Sequence, residues 1–219
     1  MIKEGVTVYY SFHKRITNEP IINPPIKLLK YFGSLKSEED QIYFCPSILP
    51  RMKRTFFFKA LTDIEINKSN SFREEEVIKN SCHIMLDCQL FLFALEPLEV
   101  LISDPFFHIR ENKGFVAVPS MLDIGQRFRP IEFSFLVFAD KLKIPQNEPL
   151  LYLEFLTSNK INFKEFNYCD KYAKFMDTPR VQKFQNPKYL SLEDRYKDFD
   201  TKRSDLISLF EEEERLKWV

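Results

Sequence analysis

Residues 114–138 read GFVAVPSMLDIGQRFRPIEFSFLVF and contain the clearest strand pattern of the chain. Large apolar side chains occupy alternate positions near its end, at Ile131, Phe133, Phe135 and Val137. Neighbouring residues of a strand point to opposite faces, so these four share one face while Glu132 and Ser134 lie on the other. The stretch therefore predicts an antiparallel strand with one buried face.

Short apolar runs bounded by proline, glycine or polar residues continue this pattern in both directions. They predict strands at 6–12, 41–45, 54–61, 83–86, 90–95, 100–102, 115–118, 150–156 and 160–166. No alternation of strands with long helices is visible, which disfavours a parallel sheet. The chain is predicted to be mainly β, α+β overall, as an antiparallel β-sandwich or jelly roll. An open antiparallel sheet backed by helices is the alternative.

The pattern changes character after residue 167. Ser191 followed by Asp194 is a weak capping box and predicts a helix through about Phe199, with a second, amphipathic helix over 204–218. We therefore divide the chain into an antiparallel β domain with an N-terminal arm, residues 1–167, and a short helical appendage, residues 168–219.

Composition limits the class of protein. The chain has 219 residues, 44% of them hydrophobic, and its 23 phenylalanines indicate an interior packed with rings. Its 32 basic and 32 acidic residues cancel, so no overall charge directs it to nucleic acid or to a membrane. Four cysteines without a CxxC pattern indicate a reducing compartment and, at Cys82 and Cys88, buried free thiols.

Residues with catalytic or metal-binding chemistry are dispersed. The set nearest to a cupin-like metal site is His83, Asp87 and His108, but positions 83 and 87 of one strand lie about 13 Å apart. Glu132 and Glu154 on neighbouring strands would resemble a glycosidase pair, although carboxylates on a solvated strand face are the commoner arrangement. No nucleotide or nucleophile motif occurs. The sequence therefore predicts no cofactor and favours a protein that is not an enzyme.

Two polar segments are candidates for binding. In the loop at 123–130, Asp123, Gln126, Arg127 and Arg129 surround Phe128. The arginines could bind a partner's carboxylate, but bracing of the chain's own loops is the favoured interpretation. In the segment 51–59, Arg51, Lys53 and Arg54 precede three phenylalanines, a combination of cations and rings found in single-strand binders.

Several motifs follow one another in an order that resembles a family of uncharacterised proteins in tailed bacteriophages. The resemblance covers about residues 41–166. It rests on Cys45-Pro46, 56–64, Phe106-Phe107-His108, Pro119, Asp123-Ile124-Gly125, Arg127-Phe128-Arg129-Pro130, 148–152 and Phe155. The resemblance implies a phage-encoded, jelly-roll protein that acts in the infected bacterium or in the virion. It implies no activity and no functional residue.

The leading hypothesis is a non-catalytic phage protein that serves as a protein–protein interaction module. Its expected partner is a virion component, a host factor or a second copy of the chain, in the virion or in the host bacterial cytoplasm. The C-terminal helix is expected to supply an apolar docking face. That face comprises Leu206, Leu209, Phe210 and Trp218. The alternatives are a cupin-like enzyme or carrier that binds a small molecule or metal, and a single-stranded nucleic-acid binder acting through residues 51–59.

Overall fold

A computed structural model describes residues 5–12, 20–34, 45–67, 81–108, 114–176 and 192–216 of the chain. Within these residues the protein is mainly β, and two five-stranded sheets pack face to face as the predicted β-sandwich. Trp218 and the start of the strand predicted at 41–45 lie outside the described residues.

Twelve strands and four helices lie among the described residues. The strands are β1 (Val6–Phe12), β2 (Ile26–Lys27), β3 (Thr55–Lys59), β4 (Ile64–Asn67), β5 (Cys82–Ala94), β6 (Glu99–Ser103), β7 (Phe115–Ala117), β8 (Ser120–Asp123), β9 (Pro130–Val137), β10 (Lys141–Ile144), β11 (Pro149–Phe155) and β12 (Ile161–Glu165). The helices are α1 (Leu28–Ser34), α2 (Leu49–Arg54), α3 (Asp170–Ala173) and α4 (Leu192–Leu216).

The first sheet has the strand order β12-β1-β5-β9-β7, and the second has the order β2-β3-β11-β6-β8. Neighbouring strands are antiparallel, with one exception: β1 and β12 pair in parallel, with Val6 opposite Ile161. A parallel pair needs a long connection. Here the segment 13–160 separates the two strands. Strands β4 and β10 form a separate antiparallel ribbon.

The core fills the space between the two sheets, and it is rich in rings as the composition predicts. The alternating set of β9 faces inward as expected. Its members are buried: Ile131, Phe133, Phe135 and Val137. They meet Phe56, Phe58 and the alternate leucines of β11 from the other sheet. Burial of this apolar surface supplies most of the stabilisation of the sandwich.

Strand β5 joins two segments that the sequence pattern separates, 83–86 and 90–95. The register against β9 shifts between Asp87 and Leu90, and Gln89 has a φ of 54°. The carboxylate of Asp87 accepts the backbone N–H of Gln89 at 3.0 Å, which stabilises this bulge. A bulge inserts an extra residue without ending a strand, so one long strand replaces two short ones.

Helix α4 also replaces two predicted helices, and it packs on the outer face of the first sheet. Tyr9, Phe91 and Phe93 point outward from β1 and β5 and contact Phe210 and Leu206 of α4. Burial raises the pKa of Tyr9 to about 12, and Glu214 and Glu211 of the same helix add to that rise. The apolar side of α4 therefore completes a second core within the chain.

Candidate functional site

The outer face of the second sheet carries a cluster of aromatic side chains that no long helix among the described residues covers. Phe57 of β3 and Tyr152 of β11 point away from the main core, because their neighbours in each strand point into it. Helices α1 and α2 and the segment 105–108 pack over them. The outer aromatic cluster comprises Tyr31, Phe32, Phe57, Phe106, Phe107, His108 and Tyr152.

His108 lies at the centre of this cluster. Its Nδ1 shares a hydrogen bond of 2.5 Å with the hydroxyl of Tyr152. The imidazole centroid lies 5.2 to 5.3 Å from the rings of Tyr31, Phe32 and Phe57. Rings at these separations contribute attraction beyond the area they bury. The hydrogen bond and the ring contacts hold the segment 105–108 against the sheet.

Next to the cluster, two arginines of α2 bind one carboxylate of β11. We call Arg51, Arg54 and Glu154 the arginine clamp. Arg51 Nε lies 2.5 Å from Glu154 Oε2, while Nε and Nη2 of Arg54 lie 2.9 and 2.8 Å from Oε1. Glu154 is only 4% exposed, and burial of a carboxylate without such partners is costly.

One ring of the cluster remains open to solvent. Phe106 is 42% exposed, and the guanidinium carbon of Arg51 lies 4.6 Å from its ring centroid. Met121 of β8 is 58% exposed and lies opposite Leu101, which is itself opposite Glu154. Because neighbouring strands are about 4.8 Å apart, Met121 lies two strands, or about 10 Å, from the clamp. We call Phe106, Arg51, Arg54 and Met121 the Phe106 surface.

Charge is unevenly distributed around this surface. The described stretches 20–34 and 45–60, which form α1, α2, β2 and β3, contain six basic residues and no aspartate or glutamate. The six are Lys27, Lys30, Arg51, Lys53, Arg54 and Lys59. Glu154 faces them, and Asp104 binds the backbone N–H of Ala117 at 2.9 Å. The surface is therefore locally basic on a chain with no net charge.

The residues predicted for nucleic-acid binding divide between several roles. Arg51 and Arg54 bind Glu154 in the arginine clamp, and Lys53 is exposed. Of the phenylalanines that follow, Phe56 and Phe58 belong to the main core and Phe57 to the outer aromatic cluster. The rings next to these cations are thus buried and do not form a stacking surface.

The loop at 123–130 is braced within the chain. The carboxylate of Asp123 accepts the backbone N–H groups of Leu98 at 3.0 Å and Gly125 at 2.8 Å. A Cβ on Gly125 would lie 2.1 Å from the carbonyl oxygen of Glu96, so only glycine fits there. Arg203 of α4 donates to the carbonyl oxygens of Gly125 and Leu95, both at 2.6 Å. Asp123 therefore braces this loop, whereas the bracing role that the sequence favoured for Arg127 and Arg129 stays a prediction.

The other polar residues of that loop differ in exposure. Gln126 is exposed, whereas Arg127 and Arg129 are half-buried. Phe128, between the two arginines, is fully buried and contacts Phe91 and Phe210. The loop thus joins the first sheet to α4 through its one ring.

The apolar residues of α4 that the sequence assigned to a partner lie largely inside the chain. Leu206 and Phe210 are buried against the first sheet, and Leu209 is partly buried beside them. Neither Leu206 nor Phe210 is therefore available on the surface of the chain. Trp218, the fourth residue of that set, lies outside the described residues.

The candidate metal and glycosidase sets are separated by the sandwich. His83 and Asp87 lie on the outer face of the first sheet with Glu132 opposite Asp87, while His108 and Glu154 lie on the outer face of the second. Across the described ranges, no group of three histidine, cysteine or acidic side chains could hold a metal ion. The residues of neither proposed set meet at one site.

Cys82 and Cys88 are buried free thiols, as predicted. Burial, followed by the nearby charge of Asp87, raises the pKa of the Cys88 thiol well above its usual range. A thiol of that kind is a poor nucleophile because the reactive form is the thiolate.

None of the helices in the described part of the chain has both the length and the apolar character needed to cross a membrane.

Sequence reasoning did not identify Phe106, His108 or Tyr152 as neighbours. They come from β11 and from the segment after β6, and only the pairing of β6 with β11, with Tyr152 opposite Ser103, brings them together. A sequence signal existed for the clamp, since Glu154 is the one charged residue in the otherwise apolar and aromatic stretch 150–156. A charge at such a position usually has a buried partner.

No protein-family model matches this chain, and no curated protein matches it. Among solved structures, native EIAV dUTPase aligns over 74% of this chain and 97% of that chain, with a TM-score of 0.35 and 11% sequence identity. A similarity at this TM-score assigns neither a family nor a function to the chain.

Proposed function

We propose that this protein is a non-catalytic module that binds a partner protein through the Phe106 surface. The observation that carries the proposal is the exposed ring of Phe106, which lies under the guanidinium of Arg51. Phenylalanine, methionine and arginine are the residue types enriched in protein interfaces. Here Phe106 contacts Arg51, and Met121 of β8 lies about 10 Å from the clamp.

The arginine clamp adds a second reason. A free arginine loses conformational entropy when a partner orders it. Glu154 already holds Arg51 and Arg54 in place through three hydrogen bonds. Binding to these side chains therefore costs less entropy than binding to an unrestrained arginine.

The setting that we propose is a tailed bacteriophage, with the protein acting in the virion or in the cytoplasm of the infected bacterium. The support for this setting is the resemblance of residues 41–166 to a phage family. The partner is then a virion component or a host protein.

The test is recovery of the tagged protein from infected cells, with chemical cross-linking and quantitative mass spectrometry. We expect at least one stoichiometric partner with the unchanged chain, and loss of about 90% or more of that partner with Phe106→Asp. A charge in the middle of an apolar contact is not tolerated without a partner group. Mass spectrometry of purified virions shows whether the protein is packaged.

Phe138→Asp is the matched control. Phe138 is also exposed, at 47%, but it follows β9 of the first sheet, the strand next to the edge strand β7. This variant should retain the partner. Equal recovery with the two variants would remove the Phe106 surface from the proposal.

A second candidate is binding of single-stranded nucleic acid, which the six basic residues favour. It predicts an affinity that falls steeply with salt, because bound cations on the nucleic acid are released. Fluorescence anisotropy with a labelled oligothymidylate of 20 nucleotides at 50 and 200 mM salt measures this. No binding at 50 mM salt would eliminate this candidate.

A further inference from the structure

We propose that the partner presents an acidic peptide segment, whose carboxylates bind the arginine clamp and whose apolar side chain packs on Phe106 and Met121. This inference rests on the proposed function, because it names the chemistry of the ligand at the same surface.

Charge complementarity is the first argument. Within the described residues, the stretches 20–34 and 45–60 carry six cations, and Glu154, the carboxylate that pairs with two of them, is buried. Lys30 and Lys53 are exposed on α1 and α2, which pack against each other. A basic surface attracts and orients a negatively charged partner.

The geometry of the clamp is the second argument. Toward Glu154, Arg51 uses Nε, while Arg54 uses Nε and Nη2. The Nη1 and Nη2 groups of Arg51 and the Nη1 group of Arg54 remain to bind a ligand. The two side chains are 41% and 38% exposed, so these groups can reach solvent. Guanidinium N–H groups match a carboxylate in shape and charge.

Apolar contacts select a peptide over a simple anion. Phe106 and Met121 are both exposed: Phe106 contacts Arg51 of the clamp, and the strand register places Met121 about 10 Å from the clamp. A segment that carries both carboxylates and a large apolar residue can use both kinds of contact at once. A free inorganic anion can use only the clamp.

The same rings argue against nucleic acid as the ligand. Sequence-tolerant binding of a single strand needs several exposed rings, on which successive bases stack. At this surface Phe57 and Tyr152 are buried and only Phe106 is exposed among the three. In addition, Glu154 neutralises part of the charge of the two arginines.

The experiment is selection of binders from a yeast-displayed library of random twelve-residue peptides, using the purified full chain. Peptides that also bind Phe106→Asp are removed. We expect the remaining peptides to be enriched in Asp or Glu next to Phe, Leu, Ile or Trp. One selected peptide is then labelled with a fluorophore, and its affinity for the chain is measured by fluorescence anisotropy. The affinity of the labelled oligothymidylate of 20 nucleotides is measured in parallel.

Variants in which a lysine is replaced by glutamate test whether the positive charge near the clamp contributes to peptide binding. We expect Lys53→Glu to weaken the selected peptide about 5- to 10-fold at 50 mM salt, because it replaces attraction by repulsion near the clamp. Lys160→Glu, at an exposed lysine just before β12 in the first sheet, should change the affinity less than about 2-fold.

The outcomes separate the two proposals. If the selected peptides require Phe106 but have a neutral or basic consensus, the inference of an acidic ligand is wrong. The proposal that the Phe106 surface binds a partner then still stands. Absence of any peptide that requires Phe106 would overturn both. Salt-dependent binding of the oligothymidylate, lost in Lys53→Glu, would replace the peptide by nucleic acid and so overturn this inference.

Discussion

The two sheets use their outer faces in different ways, although both faces carry aromatic side chains. On the first sheet, Tyr9, Phe91 and Phe93 are covered by the 25-residue helix α4 and by Phe128. On the second sheet, the described elements that cover Phe57 and Tyr152 are helices of six and seven residues and the segment 105–108. Helix α4 thus closes the outer face of the first sheet, whereas the ring of Phe106 on the outer face of the second sheet is exposed.

The difference shows that outward-facing rings alone do not mark a binding surface. What separates the two faces is the element that covers them and the charge around it. Helix α4 forms ion pairs with the first sheet and with α3, through Lys164 with Glu214 and Lys171 with Glu213, so two of its carboxylates are paired. The stretches over the second sheet have cations in excess.

The largest expected effect on stability comes from removing the ring of Phe210, which packs α4 against the outer face of the first sheet. Phe210→Ala should lower the free energy of unfolding by about 3–5 kcal/mol, because a large buried side chain leaves a cavity. Phe106→Ala, on the open face, should lower it by about 1 kcal/mol or less, since much of that ring is already in water. Urea denaturation measures both. Equal losses of unfolding free energy in the two variants would contradict the difference between the closed and the open face.

The arginine clamp should show the next largest effect. In the double variant Arg51→Ala and Arg54→Ala, Glu154 is buried without its partners, and we expect a loss of about 3 kcal/mol. Adding Glu154→Leu should recover at least about 1 kcal/mol of this loss, because no charge then remains buried. Thermal or urea unfolding of the three chains tests it. A further loss in the triple variant would show that the buried charge is not the cause.

Arg203→Ala should have a smaller effect, confined to the closed face. It removes two hydrogen bonds from a charged donor to the carbonyl oxygens of Gly125 and Leu95, so we expect a loss of about 1–2 kcal/mol. Hydrogen exchange should become faster in the loop at 123–130 and in α4. Ser204→Ala, at an exposed neighbour, is the control and should change neither. Unchanged exchange in the loop would show that Arg203 does not join it to the helix.

The smallest expected effect on stability comes from ionisation of Tyr9 at alkaline pH. The pKa of Tyr9 is raised to about 12 from an ordinary value of 10, so its contribution to stability is complete below pH 10 and is lost as the pH rises toward 12. Tyr9→Phe cannot ionise and should lose less stability between pH 9 and pH 11 than the unchanged chain. Urea denaturation at the two pH values measures the difference. If both chains lost the same stability between pH 9 and pH 11, ionisation of Tyr9 would not weaken the closed face.

Much of the β-sandwich was predictable because it follows from local patterns. The alternation in 131–137 and the strands at 6–12, 100–102 and 150–156 correspond to β9, β1, β6 and β11. Strands β8 and β10 were missed, since SMLD and KLKI are short and carry few β-branched or aromatic residues. Helix α2 was missed because its only buried residue is Met52, so no apolar face is visible.

The candidate site was much less predictable. Arg51 and Arg54 were recognised as cations, but their partner is 100 or more positions away. Phe106 was part of a motif, yet its exposure depends on the strand register of β6 and β11. No local pattern contains either fact, because both are consequences of contacts distant along the chain.

Local side-chain periodicity was enough to establish strands, a ring-filled core and an amphipathic C-terminal helix, because each depends on residues within a few positions of one another. Which outward rings are covered, and which carboxylate holds the two arginines, was decided by sheet order and by the packing of α4. Those contacts join residues far apart in the chain, so their free energy exists only once the two sheets have come together.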